Sequence, residues 1–176
     1  IKKLIETSDQ MTQIEGRLNL LTKNAQEAEN LKNKIFASAN DARGLYTDMA
    51  SSVTKLGLLA GKAFSNTDEI VAFTNIFQKM AVVGNASATE ASNAMYQLNQ
   101  AMASGRLQGD EYKSIIENAP MLAQAIEKYL GEQGVKGTLK EMASEGLITS
   151  NVIKAAMFSV ADKVDEKFKE MPMTWG

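Results

Sequence analysis

The chain contains no cysteine and no histidine. Without histidine it lacks the commonest general base and the commonest transition-metal ligand, and without cysteine it has no thiolate nucleophile. A Ser-His-Asp triad is therefore excluded, and the sequence holds no phosphate-binding loop and no GxGxxG pattern. These absences argue against an enzyme, and they predict a chain that uses neither a cofactor nor a metal ion.

Proline, aromatic residues and net charge are also scarce. There are two prolines, 6% aromatic residues and a net charge of −2, against 44% hydrophobic residues drawn largely from alanine, leucine, isoleucine and methionine. That bias favours helix over sheet and predicts an all-α fold. The small charge gives no strong attraction to nucleic acid or to an anionic membrane, and no apolar run is long enough to predict a transmembrane segment.

Residues 1–63 carry apolar residues in a heptad pattern. With Leu4 at position a, only Thr7 and Lys32 interrupt the apolar stripe. Such sustained 3-4 spacing is typical of coiled coils, so it predicts long N-terminal helices and allows a homo-oligomer through residues 1–63. The a positions are Leu4, Met11, Leu18, Ala25, Lys32, Ala39, Tyr46, Val53 and Ala60, and the d positions are Thr7, Ile14, Leu21, Ala28, Ile35, Ala42, Met49, Leu56 and Ala63.

Two arrangements of residues 1–63 stay open. An unbroken helix would run to roughly 90 Å at about 1.5 Å of rise per residue, and it would protrude as a rod. Gly16, Gly44 and Gly57 each cost about 1 kcal/mol relative to alanine inside a helix. These glycines favour two or three helical pieces that fold onto the rest of the chain.

Residues 64–172 are expected to form a compact domain of several shorter helices. Polar residues stand where the helices begin, and glycine or proline stands where they end, as helix capping requires. The predicted caps are Ser65, Asn66 or Thr67, the capping boxes Ser87-x-x-Glu90 and Thr138-x-x-Glu141, and Thr149 or Ser150, and the predicted ends are Gly84, Ser104-Gly105, Gly146 and Pro172. The final helix carries one apolar stripe of Ile153, Ala156, Val160, Val164 and Phe168.

The densest turn chemistry lies in residues 97–126. After the helix end at Gly105, Gly109 frees the backbone, and Asp110 is predicted to cap the next helix with its carboxylate. Pro120 interrupts that helix and suits the first position of the one that follows. The two turns leave four polar residues together on one region of the surface, which we call the docking corner. Its members are Arg106, Gln108, Asp110 and Glu111.

Asp110 and Glu111 are the best candidates for a pair of catalytic carboxylates. Neighbours on a helix point about 100° apart, so helix capping explains these acids better than catalysis does. Arg106 is expected to make a surface ion pair worth under about 1 kcal/mol. The sharper alternative is that the docking corner binds another protein subunit.

A second acidic cluster lies near the chain end. Its acids alternate with lysines, so a solvated helix face with i,i+4 ion pairs explains it better than a calcium site does. The acids are Asp162, Asp165, Glu166 and Glu170.

The sequence ASGRLQGDEYKSIIENAP (103–120) resembles the signature of the tape measure domain of bacteriophage tail tape measure proteins. In that family a helix ending QL-x-Q-A-x-x-S-G is followed by L-x-G-D-E and then by E-x-A-P. The runs RLNLLT (17–22), LKEMASEGLITSNVIKAAM (139–157) and MPMTW (171–175) are also similar, whereas the joint GEQGVKG (131–137) is longer than usual. The matching residues are Gln97, Leu98, Gln100, Ala101, Ser104, Gly105, Leu107, Gly109, Asp110, Glu111, Glu117, Ala119 and Pro120.

The resemblance implies a structural protein of the phage or prophage virion. Such a protein lies in the tail tube, helps set tail length, organises tube assembly in the host cytoplasm, and contacts tail tube, tail tip or assembly chaperone proteins. The alternative from the residues alone is a cellular coiled-coil adaptor or sensor with a helical protein-binding domain. A helical peptidoglycan hydrolase is the third and least favoured interpretation.

Three segments are therefore expected. Residues 1–63 form a coiled-coil-like segment, residues 64–172 form the compact helical domain, and residues 173–176 begin a missing downstream region. Because the chain begins with Ile1, we expect an internal piece of a longer protein. Trp175 is either an anchor for that downstream region or a residue that packs back onto the domain.

Overall fold

The computed structural model describes residues 1–173, except for the side chain of Asp110, so Trp175 lies outside the described residues. The fold is all-α, as predicted, and 80% of the described residues are helical. The ten α-helices of the described residues are α1 (Lys2–Leu21), α2 (Ala25–Asp41), α3 (Tyr46–Ala60), α4 (Thr67–Val83), α5 (Ala88–Ser104), α6 (Gly109–Asn118), α7 (Pro120–Glu132), α8 (Leu139–Ser144), α9 (Ser150–Ser159) and α10 (Ala161–Glu170). A short 3-10 helix, Gly61–Ala63, follows α3.

The chain divides into two compact units, Ile1–Asn75 and Ile76–Gly176, and the boundary falls within α4. In the first unit α1, α2 and α3 pack on one another, and the 3-10 helix follows. The second unit comprises the rest of α4 and the helices from α5 to α10. Its described part contains one isolated β-bridge besides the helices.

The heptad segment is broken into separate helices. Asn24 caps α2 by accepting a hydrogen bond of 2.9 Å from the Glu27 N–H, and the Lys23 N–H donates to the Glu27 carboxylate at 2.9 Å. This reciprocal capping opens a new helix after α1. A second turn follows α2, where Arg43 adopts a φ of 56°. Of the two predicted arrangements, separate helical pieces are therefore the one observed.

The heptad stripe is buried only in part. Ile14 and Ile35, both at predicted d positions, are 1% and 0% exposed. Leu4, the first predicted a position, is 74% exposed in the single chain, and the first ten residues are all exposed. Leu31, which lies outside the predicted a and d positions, is buried on α2, whereas Lys32 at a predicted a position is partly exposed.

Helix caps in the second unit follow the sequence closely. The Thr138 hydroxyl accepts from the Glu141 N–H and the Glu141 carboxylate accepts from the Thr138 N–H, which completes the predicted capping box. Ser87 and Thr149 also accept hydrogen bonds in the first turns of their helices. Pro120 occupies the first position of α7. These local signals fix where α5, α7, α8 and α9 begin.

The final helix differs from its prediction. Instead of one helix after Thr149, the structure has α9 and α10, with Val160 between them at φ −105° and ψ 5°. Val160 is partly exposed, although Ile153 and Val164 on the same predicted stripe are buried. The prediction of a single helix is therefore wrong, and α10 ends at Glu170, shortly before Pro172.

Candidate docking surface

The loop between α5 and α6 is held against the loop between α8 and α9. The Leu107 N–H donates to the Ile148 carbonyl at 2.8 Å, and the Ser150 N–H donates to the Gly105 carbonyl at 2.8 Å. Backbone groups at helix ends lack intrahelical partners, and this pairing satisfies two such groups in each loop. The second loop thus fixes the path of the first.

Two apolar side chains anchor the paired loops. Leu107 is 1% exposed and Ile148 is 0% exposed, so each loop inserts one residue into the core. Burial of a leucine or isoleucine side chain stabilises a fold by roughly 1.5–3 kcal/mol. The polar residues on either side of Leu107 are therefore carried by a rigid loop.

The docking corner lies on this loop. Arg106 and Gln108 are exposed, and Glu111 is partly exposed. Arg106 faces Thr149 in the antiparallel bridge, and its Nη1 atom lies 3.3 Å from the position that a Cβ would take at Gly146. Because the side chain of Asp110 lies outside the described residues, the predicted ion pair of Arg106 stays a prediction. The role of this corner in docking also stays a prediction.

Asp110 does not hold the capping position that was predicted for it. Helix α6 begins at Gly109, and its N-cap is Gln108, whose backbone is extended at φ −160° and ψ 168°. Gly109 adopts a φ of 60°, which glycine reaches without steric cost. The prediction that Asp110 is the N-cap is therefore wrong.

Gly105 supports the loop through its backbone conformation. It adopts φ 95° and closes α5 with a hydrogen bond from its N–H to the Ala101 carbonyl. A Cβ at this position would meet no atom within 4 Å, so only the left-handed backbone disfavours a larger residue. We expect Gly105→Ala to lower the free energy of unfolding by about 1–2 kcal/mol, measured by urea denaturation with circular dichroism at 222 nm.

Gly131→Ala is the matched control for this prediction. Gly131 lies inside α7, and a Cβ there also meets nothing within 4 Å. Alanine is favoured over glycine in a helix, so this substitution should raise the free energy of unfolding by up to about 1 kcal/mol. A change of the same sign in both variants would contradict the role assigned to Gly105.

A shallow polar cleft lies between α5 and α6 with a volume of about 300 Å³. Tyr96 in its wall is 60% exposed, and the Asn118 side chain donates to the Ser114 hydroxyl at 3.2 Å. Its amides, hydroxyls and charged groups suit hydrogen bonding to a polar partner rather than burial of an apolar one. The lining residues are Asn93, Tyr96, Gln97, Lys113, Ser114, Glu117 and Asn118.

This cleft was not predicted from the sequence. The feature that could have predicted it is the helical spacing of polar residues on the faces opposite the buried stripes. These residues lie at positions 93, 96 and 97 on α5 and at positions 113, 114, 117 and 118 on α6. Gln97 and Glu117 also belong to the signature quoted above. Sequence alone does not show that these two polar faces meet.

The acidic cluster on α10 makes ion pairs. Asp165 bonds to the Lys169 ammonium at 3.0 Å, as the i,i+4 pattern predicted, and to the Lys79 ammonium on α4 at 2.7 Å. Hydrogen bonds from Lys79 first and Lys169 second lower the pKa of the Asp165 carboxyl below its ordinary value. Among the described residues, no three acids lie close enough together to hold a metal ion.

The fold and the site define an all-helical protein whose apolar helix stripes form the core and whose docking corner is carried by a paired loop. A family model described as Tape measure protein matches residues 2–176, and the chain belongs to this family. It is a structural family of phage tails. The membership places the chain among components of the virion and among proteins whose partners are tail proteins.

The other comparisons add no relative. No curated protein and no solved structure matches the chain. In the described residues, no helix combines the length and the apolar character that a membrane crossing needs.

Proposed function

We propose that this chain acts in tail assembly as part of a tape measure protein that helps set tail length and organise the tail tube. The family match over residues 2–176 is the observation that supports this proposal. A helix converts residue number to length at about 1.5 Å per residue, so a mostly helical protein suits a molecular ruler. The chain works without catalysis, and it meets its partners in the host cytoplasm during assembly.

Within this function the described helices act as an assembly module and not as the ruler. They turn back repeatedly: α1, α2 and α3 pack on one another, and α5 to α9 pack as neighbours. We assign residues 1–63 and residues 64–172 to separate parts of the module, and we assign partner binding to the docking corner. Tail tube, tail tip or assembly chaperone proteins are the partners, and a homo-oligomer forms through residues 1–63.

The test changes the length of the full-length protein. Whole heptads are inserted into or deleted from its extended helical regions, and tails are measured by electron microscopy. Tail length should change by about 1.5 Å per residue. If the altered protein folds and assembles while tail length stays fixed, the proposed role in length determination is wrong.

A loop insertion in this chain is the matched control. Residues 133–137 are an exposed connection between α7 and α8, and Gly134 and Gly137 have φ values of 88° and 115°. Seven residues of glycine and serine inserted there lengthen the chain as much as one heptad does. Since the module is not the ruler, tails should keep their length, and a proportional increase would contradict the assignment.

A further inference from the structure

The joint between α9 and α10 lacks the glycine or proline that interrupts the chain at the other joints between helices of the second unit. Every other joint from α4 to α9 contains glycine or proline. Residues 158–161 are Phe158, Ser159, Val160 and Ala161, none of which is glycine or proline. The local contact at this joint is a hydrogen bond of 2.7 Å from the Ser159 hydroxyl to the Ala156 carbonyl, which bends a helix only slightly. The residues at the other joints are Gly84, Gly105 with Gly109, Pro120, Gly134 with Gly137, and Gly146.

The apolar stripe also runs through this joint without a change of phase. Ile153, Ala156, Val160, Val164 and Phe168 recur at spacings of three and four, which is the period of one helix. At the joint the Val160 N–H bonds to the Met157 carbonyl at 3.4 Å, one residue short of the α-helical step. The regular step resumes where the Val164 N–H bonds to the Val160 carbonyl at 2.9 Å.

The start of α10 has no cap of its own. Its N-cap is Val160, which has no side-chain acceptor, whereas α5, α8 and α9 begin with capping hydroxyls. The first N–H groups of a helix need partners from outside the helix. In one continuous helix these groups would bond to carbonyls of the last turn of α9.

Contacts with α4 hold α10 in its observed position. The Lys79 side chain is 7% exposed, and its ammonium lies 2.7 Å from the Asp165 carboxylate. The same ammonium lies 5.4 Å from the centre of the Phe168 ring. Val164 and Phe168 are the residues that α10 buries. A charge-assisted hydrogen bond and a cation–π contact thus act on one short helix.

We propose that α9 and α10 form a helix-extension switch, in which the contact of Lys79 with Asp165 and Phe168 holds open a break that no glycine or proline imposes. Released from α4, residues 150–170 form one continuous helix of about 32 Å at 1.5 Å per residue. The switch goes beyond the proposed role in tail length and does not depend on it. In the extended state the segment formed by α9 and α10 is longer than in the observed structure.

Paired spin labels on the whole chain test this switch. Since the sequence has no cysteine, Asn151→Cys and Lys167→Cys, both at exposed positions, give the only two labelling sites. In a continuous helix their Cα atoms lie about 24 Å apart, and any bend shortens that distance. Asp165→Ala removes the carboxylate that joins α10 to the Lys79 ammonium, so the population at the longer distance should rise about tenfold.

Two further variants separate extension from simple loss of α10. Glu166→Ala removes an exposed acid from the next position and should leave the distances as they are in the parent chain. Ala161→Pro is accepted at the first position of α10 but blocks a helix that continues through it. Added to Asp165→Ala, it should abolish the longer distance.

Ellipticity at 222 nm completes the test. Extension keeps or raises the helix content, whereas unfolding of α10 lowers it. An Asp165→Ala chain that shows only the short distance overturns the proposal. So does a longer distance that appears with loss of helix content, or one that persists when Ala161 is proline.

Discussion

Ile35→Asp should unfold the first compact unit. Ile35 is 0% exposed at the centre of α2, where its side chain packs among residues of the α1–α3 core. An unpaired carboxylate in such a place costs about 4 kcal/mol or more, which is comparable with the whole stability of a small unit. Circular dichroism should show a loss of helix, and amide hydrogen exchange should show lost protection throughout α1, α2 and α3.

Asn33→Asp is the control for this experiment. Asn33 lies two residues earlier on α2 and is exposed, so the substitution adds the same charge to the same helix without burying it. Its effect on the free energy of unfolding should stay within about 0.5 kcal/mol. If both variants kept the helix content of the parent chain, the buried heptad stripe would not be what holds this unit together.

Leu107→Ala should destabilise the second unit by about 3 kcal/mol. Leucine-to-alanine changes at fully buried sites cost about 2–5 kcal/mol because they lose the transfer free energy and leave a cavity. Leu107 is 1% exposed in a short loop between two helices, and its N–H bonds to the Ile148 carbonyl. Urea denaturation measures the loss, and hydrogen exchange should show faster exchange at Leu107 and Ser150, whose N–H groups join the two loops.

Leu20→Ala makes the same chemical change at a residue that is 75% exposed. It should alter the free energy of unfolding by less than about 0.5 kcal/mol. Equal losses in the two variants would mean that Leu107 does not anchor the paired loops.

Features encoded by a few neighbouring residues were predictable from the sequence. Thr138 and Glu141 form their capping box because both partners lie within one turn, and Gly105 takes the left-handed conformation because it has no Cβ. Pro120 begins α7 because proline suits the first helical position. The all-α class follows from the accumulation of such signals.

Features decided by distant residues were not predictable. The break at Val160 occurs without a glycine or proline, and it accompanies contacts between α4 and α10 such as the ion pair of Lys79 with Asp165. The exposure of Leu4 depends on which helices lie beside α1, and periodicity cannot supply that information. The cleft lined by Tyr96 likewise exists only once α5 and α6 have packed.

The pairing of the two loops sets an order of events during synthesis. Leu107 and Gly105 find their partners at Ile148 and Ser150, which leave the ribosome only after α6, α7 and α8 have been made. Contacts between residues so far apart form late, because the intervening chain must first be closed into a loop. A nascent or truncated chain that stops before Ile148 therefore lacks the backbone groups that hold the loop of Arg106 and Gln108 in place.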